Sequence, residues 1–256
     1  VARADALQLL RALAPECAQI VFLDPPFNLG KKYGGQSASA DQLPELDYLA
    51  YLQRIVSASA IVLQPGGSLY LYHIPRWAVR IAPHMGDLLD FQSWIAISMK
   101  NGYVGQGALY PAHYALLHYS KGKPSVVHRP KVPPLTCPHC GEFVKDYGGY
   151  KEHVENGVNL SDVWDDISPV RHPRYKHRDA NELPMAIPKR AAQMSGSRGG
   201  LFVDPFAGTG TAAIAARTHG MKFVAGDHDQ QSVDLISARL EALSVRRVRT
   251  GGNGSA

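Results

Sequence analysis

Cysteine is scarce in this chain: three in 256 residues, with Cys17 isolated and Cys137 and Cys140 close together. That is too few, too unevenly placed, for the disulfide framework of a small secreted protein, and it points to a reducing compartment. No run of about 18 apolar residues occurs, so a membrane-spanning helix is not expected. No secretory signal is visible in the sequence, which begins at Val1. Neither sign of charge dominates. The net charge of +5 and pI near 9.1 suit a polyanionic partner without specifying one. The length allows one large α/β domain, or one domain carrying an insertion, with a substantial core.

What is there begins with residues 20 to 28, Ile-Val-Phe-Leu-Asp-Pro-Pro-Phe-Asn. The apolar run up to Leu23, closed by two prolines, predicts a short buried strand with Asp24 at its carboxyl edge. In an open α/β sheet that edge is where ligands collect. Pro25 and Pro26 remove two N–H donors and fix φ twice, so a carboxylate and carbonyls are held facing outward. Phe27 adds a flat face. A carboxylate, a carbonyl and an aromatic plate suit a planar, amino-bearing heterocycle. Taken alone, the four residues are also compatible with a rigid loop after a strand.

Around this stretch the pattern is that of a parallel α/β fold. Residues 5 to 14 predict a short amphipathic helix capped by Asp5 and stopped by Pro15. A glycine-rich loop from 30 to 40 carries Lys31 and Lys32, which suit either phosphate or solvent. Leu46, Leu49, Leu52, Ile55, Val56 and Leu63 have helical spacing, and Pro65-Gly66-Gly67 is expected to end that helix. Residues 68 to 73 then predict a strand, so that strand, helix and strand imply a parallel crossover. A helix at 77 to 89 and strands at 91 to 99 and 113 to 119 complete the first half, joined by a glycine-rich loop around Tyr103.

From 121 to about 190 periodicity fades. Basic residues interleave with tyrosines there, among them Lys145, Tyr147, Tyr150, Arg174 and Tyr175. Irregular segments of this length inside a domain are usually functional, and this composition favours nucleic acid through phosphate contact and stacking. Within it, Cys137-Pro-His-Cys140-Gly supplies two close thiols, half of a tetrahedral zinc site. There is no second C-x-x-C, and only His153 falls near a zinc-finger separation, so zinc and a reduced, metal-free pair both stay open.

A second element follows. Residues 201 to 211, Leu-Phe-Val-Asp-Pro-Phe-Ala-Gly-Thr-Gly-Thr, predict a buried strand, a turn and the start of a helix. Gly208 and Gly210 allow close backbone approach to a ligand at a helix N-terminus. A strand from 222 ends at Asp227, 17 residues past Gly210, where a strand-end acid would meet ribose hydroxyls. The glycines alone also satisfy a loose dinucleotide fingerprint, so a nicotinamide-dependent oxidoreductase is an alternative, one that leaves residues 24 to 27 idle.

Together, Asp24-Pro25-Pro26-Phe27 and Asp204-Pro205-Phe206-Ala207-Gly208-Thr209-Gly210 resemble the catalytic motif and the S-adenosylmethionine loop of the DNA amino-methyltransferases that modify adenine N6 or cytosine N4. Catalytic motif, then insertion, then cofactor loop resembles the circularly permuted beta group. The resemblance covers Asp5 to about Leu243, including Ser161-Asp-Val-Trp164; at Leu183 the chain departs from a lysine common in the family, and Asn181 is the substitute expected to meet the cofactor.

The resemblance implies a Rossmann-like S-adenosylmethionine methyltransferase fold, a mixed sheet with helices on both faces. Its single permuted domain would span 1–120 and 181–245, with a target-recognition insertion at 121–180 and a basic, frayed tail at 246–256. It implies methyl transfer to adenine N6 of a flipped-out base in double-stranded DNA, with cytosine N4 the nearest alternative and RNA a more distant one. A DNA-binding protein with a dead site is a third class, disfavoured by the intact residues 24 to 27. Asp24, Pro25, Pro26 and Phe27 would be catalytic; Asp5, Asp24, Asn181, Asp204, Phe206, Gly208, Gly210, Thr211 and Asp227 would hold the cofactor. Family members are often dimers, and the expected location is the cytoplasm of a prokaryote or of a virus's host cell.

Overall fold

The computed structural model describes residues 1–30, 41–98, 107, 109–144, 154, 156–167 and 182–251, with side chains through 243. The chain opens with β1 (Ala2–Arg3), α1 (Ala6–Ala12) and β2 (Ala18–Leu23). Asp5 caps α1 as its composition predicts, its carboxylate accepting from the N–H groups of Leu7 (2.9 Å) and Gln8 (3.3 Å). Every residue of β2 is buried. An uninterrupted apolar run is what a central parallel strand, covered on both faces, requires.

Next come α2 (Glu45–Val62), β3 (Leu63–His73), α3 (Pro75–Gly86), β4 (Asp90–Ser98) and β5 (His113–Ser120). The buried stripe of α2 runs through Tyr48, Leu52, Ile55, Val56 and Ser59. The stripe expected from the leucines is thus rotated: Leu46 is 79% exposed, and Tyr48 takes the core position. Pro65-Gly66-Gly67 does not end α2 as expected. The helix stops at Val62 and those residues form an irregularity inside β3, where the register against β2 shifts between Ala18 and Ile20. Gly66, at φ +74°, supplies the left-handed turn of that bulge.

The chain continues through β6 (Lys131–Val132), β7 (Val158–Asn159), β8 (Val163–Trp164), α4 (Ala186–Ser195), β9 (Leu201–Asp204), α5 (Thr211–Thr218), β10 (Lys222–Asp227) and α6 (Gln230–Gly251). Eight strands form one mixed sheet in the order β1-β10-β9-β2-β3-β5-β4-β8, while β6 and β7 pair separately. The five strands from β1 to β3 are mutually parallel; β5 is antiparallel to both its neighbours. One face packs α1, α2 and α3 against Val21, Leu23, Leu69, Leu71 and Val203. The other packs α4 and α5 against Ile20, Phe22, Tyr70 and Phe202. Alternation along β2 therefore sends successive side chains to opposite layers.

Two stretches read as irregular are more ordered than expected. β8 joins the sheet beside β4, with Trp164 1% exposed between Ile97 and α4, so the segment after Ser120 returns to the sheet edge. Arg190 of α4 holds it there, forming a two-pronged ion pair with Asp166 and lying 4.9 Å from the Trp164 ring centre. At the other end, α6 runs to Gly251, into the stretch expected as a frayed tail.

The topology fixes where a ligand can lie. From β2 the chain crosses through α2 to β3 on one side, and from β9 it crosses through α5 to β10 on the other. The adjacent carboxyl ends of β2 and β9 are thus a topological switch point, where a crevice opens in sheets of this kind.

Candidate active site

Asp24 leaves the end of β2 half-buried, followed by a buried Pro25 and half-buried Pro26 and Phe27. The loop is then stapled at its base. Asn28 adopts φ +56°, a left-handed conformation that asparagine tolerates better than most residues. Its side-chain amide exchanges hydrogen bonds with the backbone of Leu43 (2.9 and 2.7 Å). The carboxylate of Asp41, 5% exposed, accepts from the N–H groups of Asn28 (2.9 Å) and Leu29 (3.1 Å). Lys31 and Lys32 lie outside the described residues.

Phe27 is not a lone plate. Its ring lies 4.8 Å from that of His73, nearly parallel, and within 5.7 and 5.9 Å of Tyr114 and Tyr72. Tyr72 and His73 end β3 on opposite faces of the sheet, and Phe27 reaches both because it crosses the strand ends.

On the neighbouring strand, the Asp204 carboxylate accepts from the Phe206 N–H (3.0 Å). Gly208 and Gly210 take φ +52° and +79°, and a Cβ on Gly210 would stand 2.9 Å from Ile236 of α6, so both conformation and space demand glycine there. Asp227 ends β10 and ties the loop down: its carboxylate accepts from Gly208 N–H and from Asp229 N–H, each at 2.9 Å. Asp5 comes to the same edge, because β1 pairs with β10 as Arg3 opposite Asp227.

Asp24 and Asp227 both lie within electrostatic reach of Asp204. Asp204, 4% exposed, is held well above the ordinary carboxylate range, first by burial and then by the charges of Asp24 and Asp227, with the Phe206 N–H opposing. Burial raises the Tyr72 and Tyr114 hydroxyls too, and the charge of Asp24 adds to both. A crevice with this accumulation of acid suits a cation, whose arrival would favour the ionised form of Asp204. The glycine turn at the head of α5 leaves room for close backbone approach by a ligand at the same edge.

The sequence-predicted residues divide clearly. Asp24 to Phe27, Asp5, Asp204, Phe206, Gly208, Gly210, Thr211 and Asp227 share the carboxyl edge of β2, β9, β10 and β1. Asn181 and His153 lie outside the described residues. Cys137 and Cys140 sit in a short turn in which Cys137 N–H donates to Glu142 O (2.7 Å) and Gly141 N–H to Cys137 O (2.9 Å). The N–H groups of Cys140 and His139 favour the Cys137 thiolate. Among the described residues no group of three or more His, Cys, Asp or Glu side chains is placed to hold a metal. Sequence reasoning missed Tyr48, Tyr72, His73 and Tyr114; the one signal, for Tyr72 and His73 alone, was the aromatic-rich strand end from Tyr70 to His73.

A sequence model of the family described as DNA methylase, modifying N6 or N4, matches residues 18–238. The chain belongs to this DNA methylase family. It is 39% identical over 239 residues to the type II methyltransferase M.BamHI of Bacillus amyloliquefaciens, covering 93% of this chain and 56% of that protein. The chain thus spans little more than half the length of that relative. The DNA adenine methyltransferase YhdJ of Escherichia coli K12 is 22% identical over 94% of this chain and 82% of its own. Among solved structures, the PvuII DNA methyltransferase, cytosine-N4-specific, superposes with a TM-score of 0.65 at 15% identity, covering 92% of this chain and 84% of that one. The Thermus thermophilus protein TTHA0409, complexed with S-adenosyl-L-methionine, gives 0.59 at 19% identity and 92% coverage of both chains. The family and the two superpositions agree with the mixed, helix-covered sheet. No helix among the described residues is long and apolar enough to cross a membrane.

Proposed function

We propose that this DNA methylase transfers a methyl group from S-adenosylmethionine to the exocyclic amino nitrogen of a base flipped out of double-stranded DNA. The observation that carries it is the meeting of Asp24 and Asp204 at adjacent strand ends, beside Phe27 and the glycine turn. When bound, the cofactor supplies an already activated methyl group. The chain's part is to hold and orient. Asp24 and the Pro25 carbonyl accept the amino hydrogens, which draws the nitrogen lone pair out of ring conjugation and aims it. The aromatic wall of Phe27 orients the base plane. Phe206 to Gly210 and Asp204 hold the cofactor's amino-acid end, Asp227 its ribose, and Asp5 its adenine. Thr211, at the head of α5, completes the cradle.

Asp before Pro-Pro favours adenine N6. Cytosine N4 is the second reading, supported by the shared fold of the cytosine-N4-specific PvuII methyltransferase. Residues 121–180 are proposed as the target-recognition insertion, a homodimer as the assembly, and a prokaryotic or viral-host cytoplasm as the setting. Zinc at Cys137 and Cys140 is the least supported part, because the described residues supply only these two ligands; metal analysis of the purified protein decides it. The central test is Asp24→Ala, expected to lose methyl transfer by about two orders of magnitude or more while DNA binding persists. Full transfer by that variant would overturn the assignment.

A further inference from the structure

Pro25 and Pro26 have no N–H groups, so at these two residues the catalytic loop can be fixed through its backbone only by their carbonyls. The fold provides such a fixing point from two buried side chains. The Tyr48 hydroxyl donates to the Pro26 carbonyl, and the same hydroxyl lies 2.7 Å from His73 Nε2. The backbone N–H of Ile74 donates to His73 Nδ1 at 2.8 Å. Nδ1 is therefore the acceptor, and the ring proton sits on Nε2. Every proton in the chain has one direction: His73 Nε2–H to the Tyr48 oxygen, and Tyr48 O–H to the Pro26 carbonyl.

Neither residue is there for packing alone. Tyr48 is 3% exposed and His73 fully buried, within the layer formed by Leu52, Ile55, Leu69, Leu71 and Trp77. A phenylalanine and a leucine would fill that layer without two polar groups to satisfy, and buried polar groups are costly unless paired. Here both are paired, and the chain they form ends on the peptide that joins Pro26 to Phe27. His73 also stacks under the Phe27 ring, so one side chain sets both the carbonyl and the plate.

We infer that His73 and Tyr48 are positioning residues for methyl transfer, a directional hydrogen-bond chain that holds the Pro26–Phe27 peptide and thereby aims the Pro25 carbonyl and the Phe27 ring at the target base. They act through the loop, without touching substrate. The inference rests on the proposed function, and the activity of the unmodified chain tests that reading separately.

The experiment compares wild type, Tyr48→Phe, His73→Gln, His73→Leu and the double variant Tyr48→Phe/His73→Leu in steady-state methyl transfer to unmethylated DNA, with cofactor affinity measured by calorimetry. Tyr48→Phe keeps the ring and removes the bond; its kcat is expected to fall about 10- to 100-fold, the scale of a misplaced reacting group, with cofactor affinity within about twofold of wild type. Gln at 73 retains a donor near the Nε2 position and is expected to keep most of kcat, whereas Leu loses as much as Tyr48→Phe. The double variant should be no slower than Tyr48→Phe, because both changes break one chain. Wild-type kcat in Tyr48→Phe, or equal losses in His73→Gln and His73→Leu, would overturn the inference. So would multiplying losses in the double variant. An inactive wild type that binds DNA and cofactor would count against the proposed function instead.

Discussion

Burial holds His73 down to a pKa of about 3 and His118 to about 4. Both stay neutral in the folded chain at pH 5, whereas an unfolded histidine, at about 6.5, takes up a proton. Stability contributed by each is therefore full above about pH 6.5 and is lost as pH falls towards the folded value. At about 1.36 kcal/mol per unit, each histidine removes about 2 kcal/mol between pH 7 and pH 5. Asp204 works in the opposite direction: its raised folded pKa means the native chain is protonated before the unfolded one, which stabilises on acidification. A single pH curve mixes these contributions, so the informative quantity is a difference. Urea unfolding of wild type and His73→Gln at pH 7, 6 and 5 is expected to show a pH-dependent loss about 2 kcal/mol smaller in the variant. The same loss in both chains would refute the assignment of a buried, neutral His73.

Three further outcomes follow from the geometry. Asp204→Asn removes a buried carboxylate held against its charge; at pH 7 unfolding is expected to shift to equal or higher denaturant, while cofactor affinity by calorimetry falls at least about tenfold, the loss of one close charge. Gly210→Ala meets both φ +79° and Ile236 at 2.9 Å, and should cost about 1 to 3 kcal/mol of stability in urea unfolding, with cofactor binding weakened in the same titration. Arg190→Met severs the grip of α4 on Asp166 and Trp164; because Asp166 is 44% exposed in its side chain, the expected cost is modest, about 1 to 2 kcal/mol, with Trp164 fluorescence shifted to the red.

Much of the site was legible because its chemistry is local. Asp24 to Phe27 and Asp204 to Gly210 each announce a strand end through an apolar run followed by residues that cannot continue a ladder, and the parallel order of β2 and β3 follows from the helix between them. What escaped depends on distant partners. Nothing in the neighbourhood of Tyr48 distinguishes it from an exposed tyrosine on α2; it is the sheet that turns this face inward and makes Leu46 the exposed residue. Val163 and Trp164 form too short a strand to show period-2 alternation, and they are strand only because Ala96 and Ile97 offer an edge. Pro65-Gly66-Gly67 carries the residues of a helix stop, yet the tertiary register uses them as a bulge. Asp227 was read as a ribose partner from its spacing, and the fold adds a second duty, holding Gly208 in place.

The most direct test is the chemical identity of the product. Unmethylated bacterial DNA, incubated with the wild-type chain and methyl-labelled S-adenosylmethionine, is digested to nucleosides and analysed by mass spectrometry. The account predicts label on an exocyclic amino nitrogen, as N6-methyladenine or, under the second reading, N4-methylcytosine. Label on a ring carbon, as 5-methylcytosine, would contradict the role given to Asp24 and the Pro25 carbonyl.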